Sequence, residues 1–170
     1  WATPEGSTYS FSGKHYTLTD SPALPKPVQR PGPPIVMGGF GATRTPRLAA
    51  EHADEFNTPF ARLADFTAQR DRVRAACEAI GRDPDSMIFS AALVVACGID
   101  DAEVQRRAAK IDKDAADLIE HAAGGTVQQL VDTLGRWSEA GADRIYLQLL
   151  DLDDLDHVRL IGGEVLPHLA

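Results

Sequence analysis

Apolar and polar residues alternate over Tyr9-Ser10-Phe11-Ser12-Gly13-Lys14-His15-Tyr16-Thr17-Leu18, around Gly13, which predicts a short β-hairpin. Asp20 to Pro34 holds six prolines. Each lacks the N–H that a ladder needs, so this stretch is expected to be an extended connector outside any sheet interior. Ile35-Val36-Met37 predicts a strand ending at Gly38-Gly39-Phe40-Gly41, and Thr45-Pro46 an N-cap and first turn for a helix through Leu48, Ala49 and His52. Asp54-Glu55-Phe56-Asn57 reads as a short strand. Leu63, Phe66, Val73 and Cys77 recur at helical spacing, predicting a helix from Arg62 to Ile80 with Gly81 as its stop.

Met87 to Cys97 is almost continuously apolar, as in a strand covered on both faces. Asp100 can cap the helix that follows. Thr126-Val127-Gln128-Gln129 is a capping box for a helix to Ala140. Asp143 to Leu149 is the last strand, and His157 to Leu169 the last helix. Four strands alternating with helices imply a parallel sheet with right-handed crossovers. Four such units are half of an eight-stranded (β/α) barrel, and a free-standing four-strand sheet would expose two edges. The expected organisation is a hairpin insertion and Pro-rich connector over 1–34, then a half-barrel over 35–170.

The chain has 170 residues, 44% hydrophobic, with 14 Gly and 11 Pro, which fits an ordinary globular domain. Seventeen Lys and Arg against 25 Asp and Glu give a net charge of −8. An acidic chain without a basic cluster is poorly suited to nucleic-acid backbones. The apolar run Met87–Ile99 is too short to span a bilayer. Cys77 and Cys97 have no partner motif and read as packed, reduced thiols of a cytoplasmic protein. The opening Trp1-Ala2-Thr3-Pro4 reads as the end of a helix, so we expect an excerpt of a longer protein.

The stretch Pro33 to Pro46 is the most informative for chemistry. Three glycines follow a strand and precede a helix, where backbone can approach a ligand closely and free N–H groups suit a phosphate. Thr43 and Thr45 could add hydroxyl donors and Arg44 a charged one. A tight turn alone would also explain the glycines, and both readings stand. Arg44 occupies the place of the third glycine in a Gly-x-Gly-x-x-Gly fingerprint, and no P-loop Lys-Ser/Thr pair follows, so neither ATP nor a Rossmann-bound nicotinamide is supported. Asp54, Glu55 and Asn57 lie near the end of the next strand, where barrel enzymes place their sites. The five histidines show no ligand spacing, so no metal site is expected. Asp153-Asp154 with Asp156-His157 reads as a solvated helix start. Ser90 and Ser138 lack a nucleophile elbow. Cys97, near a strand's C-terminal end, could face a ligand, with core packing the plainer account.

The ordered blocks Phe11-Ser12-Gly13-Lys14-His15-Tyr16, Pro25-Lys26-Pro27-Val28-Gln29-Arg30-Pro31, Pro33-Pro34-Ile35-Val36-Met37-Gly38-Gly39 and Ala53-Asp54-Glu55-Phe56-Asn57 resemble the luciferase-like monooxygenase superfamily, more narrowly its members that use the deazaflavin coenzyme F420. Gly81-Arg82-Asp83-Pro84 and Ala140-Gly141-Ala142-Asp143 fit in order. The resemblance covers essentially the whole chain. It implies an α/β fold, the C-terminal half of a (β/α)8 TIM barrel (strands five to eight) preceded by a β-hairpin insertion, with the first four strands absent. It implies that Gly38, Gly39, Gly41, Ala42, Thr43 and Arg44 lie near the cofactor phosphate, and that Asn57, Thr58 and Pro59 face the substrate pocket. Much of the pocket around the reactive ring would come from the first half, so no catalytic residue is assigned. The implied activity is F420-dependent hydride transfer to or from a small organic substrate. An FMN-dependent monooxygenase is the alternative, and a non-catalytic binding or structural module the alternative of another class. The expected partners are a second copy of the chain or the missing N-terminal half.

Overall fold

The computed structural model describes residues 2–169, and these fall into two compact units, one up to Ile35 and one from Val36 onward. In the first unit, β1 (Tyr9–Ser12) pairs antiparallel with β2 (Thr17–Ser21), and the Gly13 N–H donates to the Tyr16 carbonyl at 2.9 Å to close the turn. The second strand thus runs to Ser21, two residues into the stretch expected as connector.

The second unit alternates strand and helix. Its elements are β3 (Val36–Gly38), α1 (Arg44–His52), β4 (Glu55–Pro59), α2 (Leu63–Ala79), β5 (Ile88–Gly98), α3 (Asp101–Lys110), α4 (Ala115–His121), β6 (Ala123–Thr126), α5 (Val127–Glu139), β7 (Arg144–Gln148) and α6 (Leu155–Leu160). All its strand pairings are parallel. The order is β3-β4-β5, with β7 beside the first half of β5 and β6 beside the second half.

Strand period sorts the side chains into two faces. Met37, Phe56, Phe89, Ala91, Leu93, Ile145 and Leu147 join one core with Ala49 and Ala50 of α1, Phe66, Val73 and Cys77 of α2, and Leu130, Leu134 and Trp137 of α5. The Phe66 and Trp137 rings meet at 5.3 Å, tilted by 54°. A second cluster packs α3 and α4 on the far half of β5, through Ala96, Val104, Ala108, Ala115 and Leu118. The other sheet face carries Val36, Gly38, Glu55, Asn57, Ile88, Ser90, Arg144 and Tyr146. Helices leave this stretch open, whereas the far half of β5 is covered on both faces, with Val95 and Cys97 in the first core and Ala96 in the second.

Several boundaries depart from expectation. Helix α1 starts two residues early, at Arg44, with Thr43 as its N-cap; Thr45 lies in the first turn. Strand β6, Ala123-Gly124-Gly125-Thr126, was not anticipated, since it lacks alternation and branched residues. Pairing with Val95–Gly98 creates it, and a Cβ on Gly124 would come within 2.7 Å of the α4 backbone. The last helix begins at Leu155, capped by Asp154, and changes to a π turn over Ile161–Val165 and a 3₁₀ turn over Leu166–His168.

Candidate functional site

Each glycine of the turn after β3 has its own structural cause. A Cβ on Gly38 would lie 2.6 Å from the Asn57 carbonyl oxygen, Gly39 sits at φ +129°, and a Cβ on Gly41 would collide with the Thr45 hydroxyl. A tight turn therefore accounts for all three, and what suits a ligand here is the set of free donors. Thr43 makes no side-chain capping bond, and the first turn of α1 holds no acidic residue. The Thr43 and Thr45 hydroxyls and the Arg44 guanidinium have no side-chain partner among the described residues. The first-turn N–H groups of Arg44 and Thr45 precede the helix's internal ladder, and Pro46 has none to offer. Gly41, Ala42, Thr43 and Arg44 are exposed. This donor set fits an anion with several oxygens, such as a phosphate.

Gln69 of α2 holds the turn from behind. It is fully buried, and its Nε2 donates to the Gly41 carbonyl at 3.0 Å while its Oε1 accepts from Arg72 at 2.8 Å. Sequence reasoning passed over it. The signal was there: Gln69 lies on the same helical stripe as Phe66, Val73 and Cys77.

Parallel register sets Gly38, Asn57, Ser90 and Arg144 in one row across four strands of the open face. Buried Glu55 gathers the polar groups around it. Its Oε1 accepts from the Ser90 hydroxyl at 2.6 Å and the Tyr146 hydroxyl at 2.8 Å, and its Oε2 from Arg144. Asn57 Nδ2 reaches Ser90 Oγ at 3.0 Å. Half-buried Asn57 thus lies next to the glycine turn. Thr58 does not join it: its side chain is fully buried on the opposite, helix-covered face, and its hydroxyl finds no partner. Strand alternation between Asn57 and Thr58 is the reason. Pro59 ends β4 half-buried.

A second polar cluster closes the end of β5. The Cys97 N–H donates to His157 Nε2 at 2.9 Å, and Arg107 donates to the Cys97 carbonyl at 2.7 Å and to Asp154 at 2.8 Å. Arg107 is also paired with Glu103 at 3.1 Å. The Arg107 hydrogen bond holds the Asp154 carboxyl down to about 2, while burial, then the Arg107 charge, lowers His157. Burial pushes the Cys97 thiol up to about 11, and Cys77 is raised for the same reason. Both cysteines are free and buried, and neither faces the open sheet. The stretch Asp153–His157 is a helix start as expected, with Asp153 and Asp156 exposed, but it is not solvated throughout: Asp154 is half-buried and His157 buried.

A cleft of about 610 Å³ lined by Arg70, Arg74, Asp85, Met87 and Asp143 lies at the other end of the strands from the glycine turn. Among the described residues no group of three or more His, Cys, Asp or Glu is placed to hold a metal ion, and no helix is long and apolar enough to cross a membrane.

Solved structures share this fold. The coenzyme F420-dependent tetrahydromethanopterin reductase from Methanopyrus kandleri superposes with a TM-score of 0.77 at 16% identity, over 98% of this chain and 59% of that one. An F420-dependent secondary alcohol dehydrogenase in complex with an F420-acetone adduct gives 0.75 at 17%, over 99% and 58%. The oxygenating constituent of 3,6-diketocamphane monooxygenase from Pseudomonas putida, in complex with FMN, gives 0.69 at 18%, over 96% and 59%. The chain thus spans just under three-fifths of the length of these proteins, and the fold it shares with them is part of a TIM barrel. A family model described as luciferase-like monooxygenase matches residues 1–150. With its parallel strands and the blocks that carry the resemblance all inside that match, the chain belongs to the luciferase-like monooxygenase family.

Proposed function

We propose that this chain is the C-terminal half, strands five to eight, of a barrel oxidoreductase that holds the phosphate of coenzyme F420 at Gly38–Arg44 and transfers hydride to or from a small organic substrate. The observation that carries this reading is the unspent donor set at the start of α1: two first-turn N–H groups, the Thr43 and Thr45 hydroxyls and the Arg44 guanidinium, with no acid beside them. When bound, the deazaflavin supplies hydride chemistry at its C5. This chain's own residues bind and orient. Arg44 contributes a charge-assisted bond, Gly39 and Gly41 let the backbone approach, and Asn57 and Pro59 border the substrate pocket. Thr58 contributes only through its backbone, because its side chain lies behind the sheet. The open sheet face is completed by the other half of the barrel or by a second copy, and the free thiols suit the cytoplasm.

The likeness to an FMN-containing monooxygenase supports FMN as the second reading, since both cofactors carry a phosphate-bearing ribityl tail. Fluorescence titration of the native protein with F420 and with FMN tests both. Saturable F420 binding is expected, weakened roughly tenfold by Arg44→Ala, the scale of a lost charge-assisted hydrogen bond. Binding of FMN alone would move the assignment to the second reading. No binding of either, or affinity unchanged in both Arg44→Ala and Thr45→Val, would overturn the phosphate site.

A further inference from the structure

The direction of the hydrogen bonds on the open sheet face fixes which end of Asn57 faces the pocket. Glu55, paired with the Arg144 guanidinium, can only accept. Ser90 has one hydroxyl proton, and at 2.6 Å from Glu55 Oε1 that proton is committed to the carboxylate. The Tyr146 hydroxyl cannot relieve it, because Tyr146 also donates to Glu55 while accepting from Arg144 at 3.3 Å. Ser90 Oγ is therefore left as an acceptor toward Asn57, and the Asn57 group 3.0 Å away has to be the NH₂. Exchanging the amide's oxygen and nitrogen would set two oxygens together with no proton between them. Asn57 Oδ1 consequently points away from Ser90, and it has no partner among the described residues. On the other side stands Gly38, the register partner, whose missing Cβ would lie 3.7 Å from Asn57 Cβ.

We propose that Asn57 is a specificity residue, presenting a carbonyl acceptor held in place by the Glu55–Ser90 relay to a hydrogen-bond donor of the cofactor. That donor is the imide N–H of the ring or a hydroxyl of the ribityl tail. The inference rests on the reading of Gly38–Arg44 as the cofactor's phosphate site and adds a division of labour to it. Anionic oxygens go to the start of α1. Neutral donors go to Asn57, whose oxygen repels a phosphate or carboxylate.

Two measurements on the full chain test this. In isotope-labelled protein, one Asn57 side-chain amide proton is expected to be protected from exchange, and Ser90→Ala to abolish that protection while leaving the fold intact. Equal exchange in both proteins would overturn the relay. The second measurement compares the affinity of the cofactor that binds, F420 or FMN, with those of its N3-methyl analogue and of analogues lacking single ribityl hydroxyls. The native protein is expected to disfavour one analogue about tenfold, the scale of an unpaired acceptor, and the disfavoured one identifies the donor. Asn57→Ala should reduce the difference to within about twofold. Cofactor binding with no analogue disfavoured, or a preference that survives Asn57→Ala, would overturn this inference alone. Absence of binding of either cofactor would overturn it together with the phosphate site.

Discussion

His157 shows how one side chain ties acid sensitivity to architecture. Its Nε2 accepts the Cys97 N–H, which requires the neutral imidazole, and burial with the Arg107 charge lowers its pKa below the ordinary 6.5. Arg106 opposes protonation too, whereas Asp154 and Glu103 favour it. The unfolded chain therefore takes up the proton first, and stability falls as pH drops below about 6.5. Asp154 acts lower. Its carboxyl, held at about 2 against an ordinary 3.8, adds stability that is present above 3.8 and lost between there and about 2. Urea unfolding at a series of pH values should show both declines. His157→Gln, whose amide oxygen can still accept the Cys97 N–H, should flatten the upper one. An unchanged profile in that variant would remove His157 as the cause. The sequence showed the acids and the histidine close together, but which of them are buried depends on where α3 meets the end of β5.

At the scale of elements, α2 reaches past its own strand to support the turn after β3. The link is Gln69, whose amide bonds the Gly41 carbonyl. Gln69→Leu keeps the apolar stripe and removes the bond. It should cost about 1 kcal/mol of stability, the net value of one hydrogen bond, and weaken phosphate-dependent cofactor binding several-fold by loosening the turn. Denaturant unfolding and titration together check this, and a stability loss with unaltered affinity would mean that the turn holds its shape unaided. The elements themselves were largely legible. The spacing of Phe66, Val73 and Cys77 marked α2, the Thr126–Gln129 pair marked the start of α5, where the Thr126 N–H donates to Gln129 Oε1 at 2.8 Å, and Asp100 capped α3 through the Glu103 N–H. Strand β6 was not legible, because nothing local in Ala-Gly-Gly-Thr favours extension.

For the molecule as a whole, the open sheet face governs behaviour. Val36, Ile88 and Tyr146 are exposed on it, and among the described residues β3 pairs only with β4 and β7 only with β5. Unpaired edges beside exposed apolar groups favour association. Sedimentation of the 170-residue chain should show concentration-dependent association, reduced by Val36→Lys on the open face. A monomer with cooperative unfolding at all concentrations would mean instead that the half-barrel is self-sufficient. The chain spans 59% and 58% of two F420-dependent proteins that share its fold, and the remaining strands of such a barrel would cover the same surface.

The sequence by itself determined the alternation of strand and helix, the parallel sheet, the caps of α3 and α5 and the glycine turn, because each follows from spacing and from residues that act on their near neighbours. Its ordered blocks also carried the family. Tertiary structure alone decided that Asn57 and Thr58, adjacent in sequence, serve opposite faces of the sheet. It also decided that Glu55, Ser90, Arg144 and Tyr146, drawn from three strands, form one network, and that Gln69 supports a turn 28 residues away. Those contacts arise from strand register and crossover packing, which bring distant residues together in ways that no local pattern encodes.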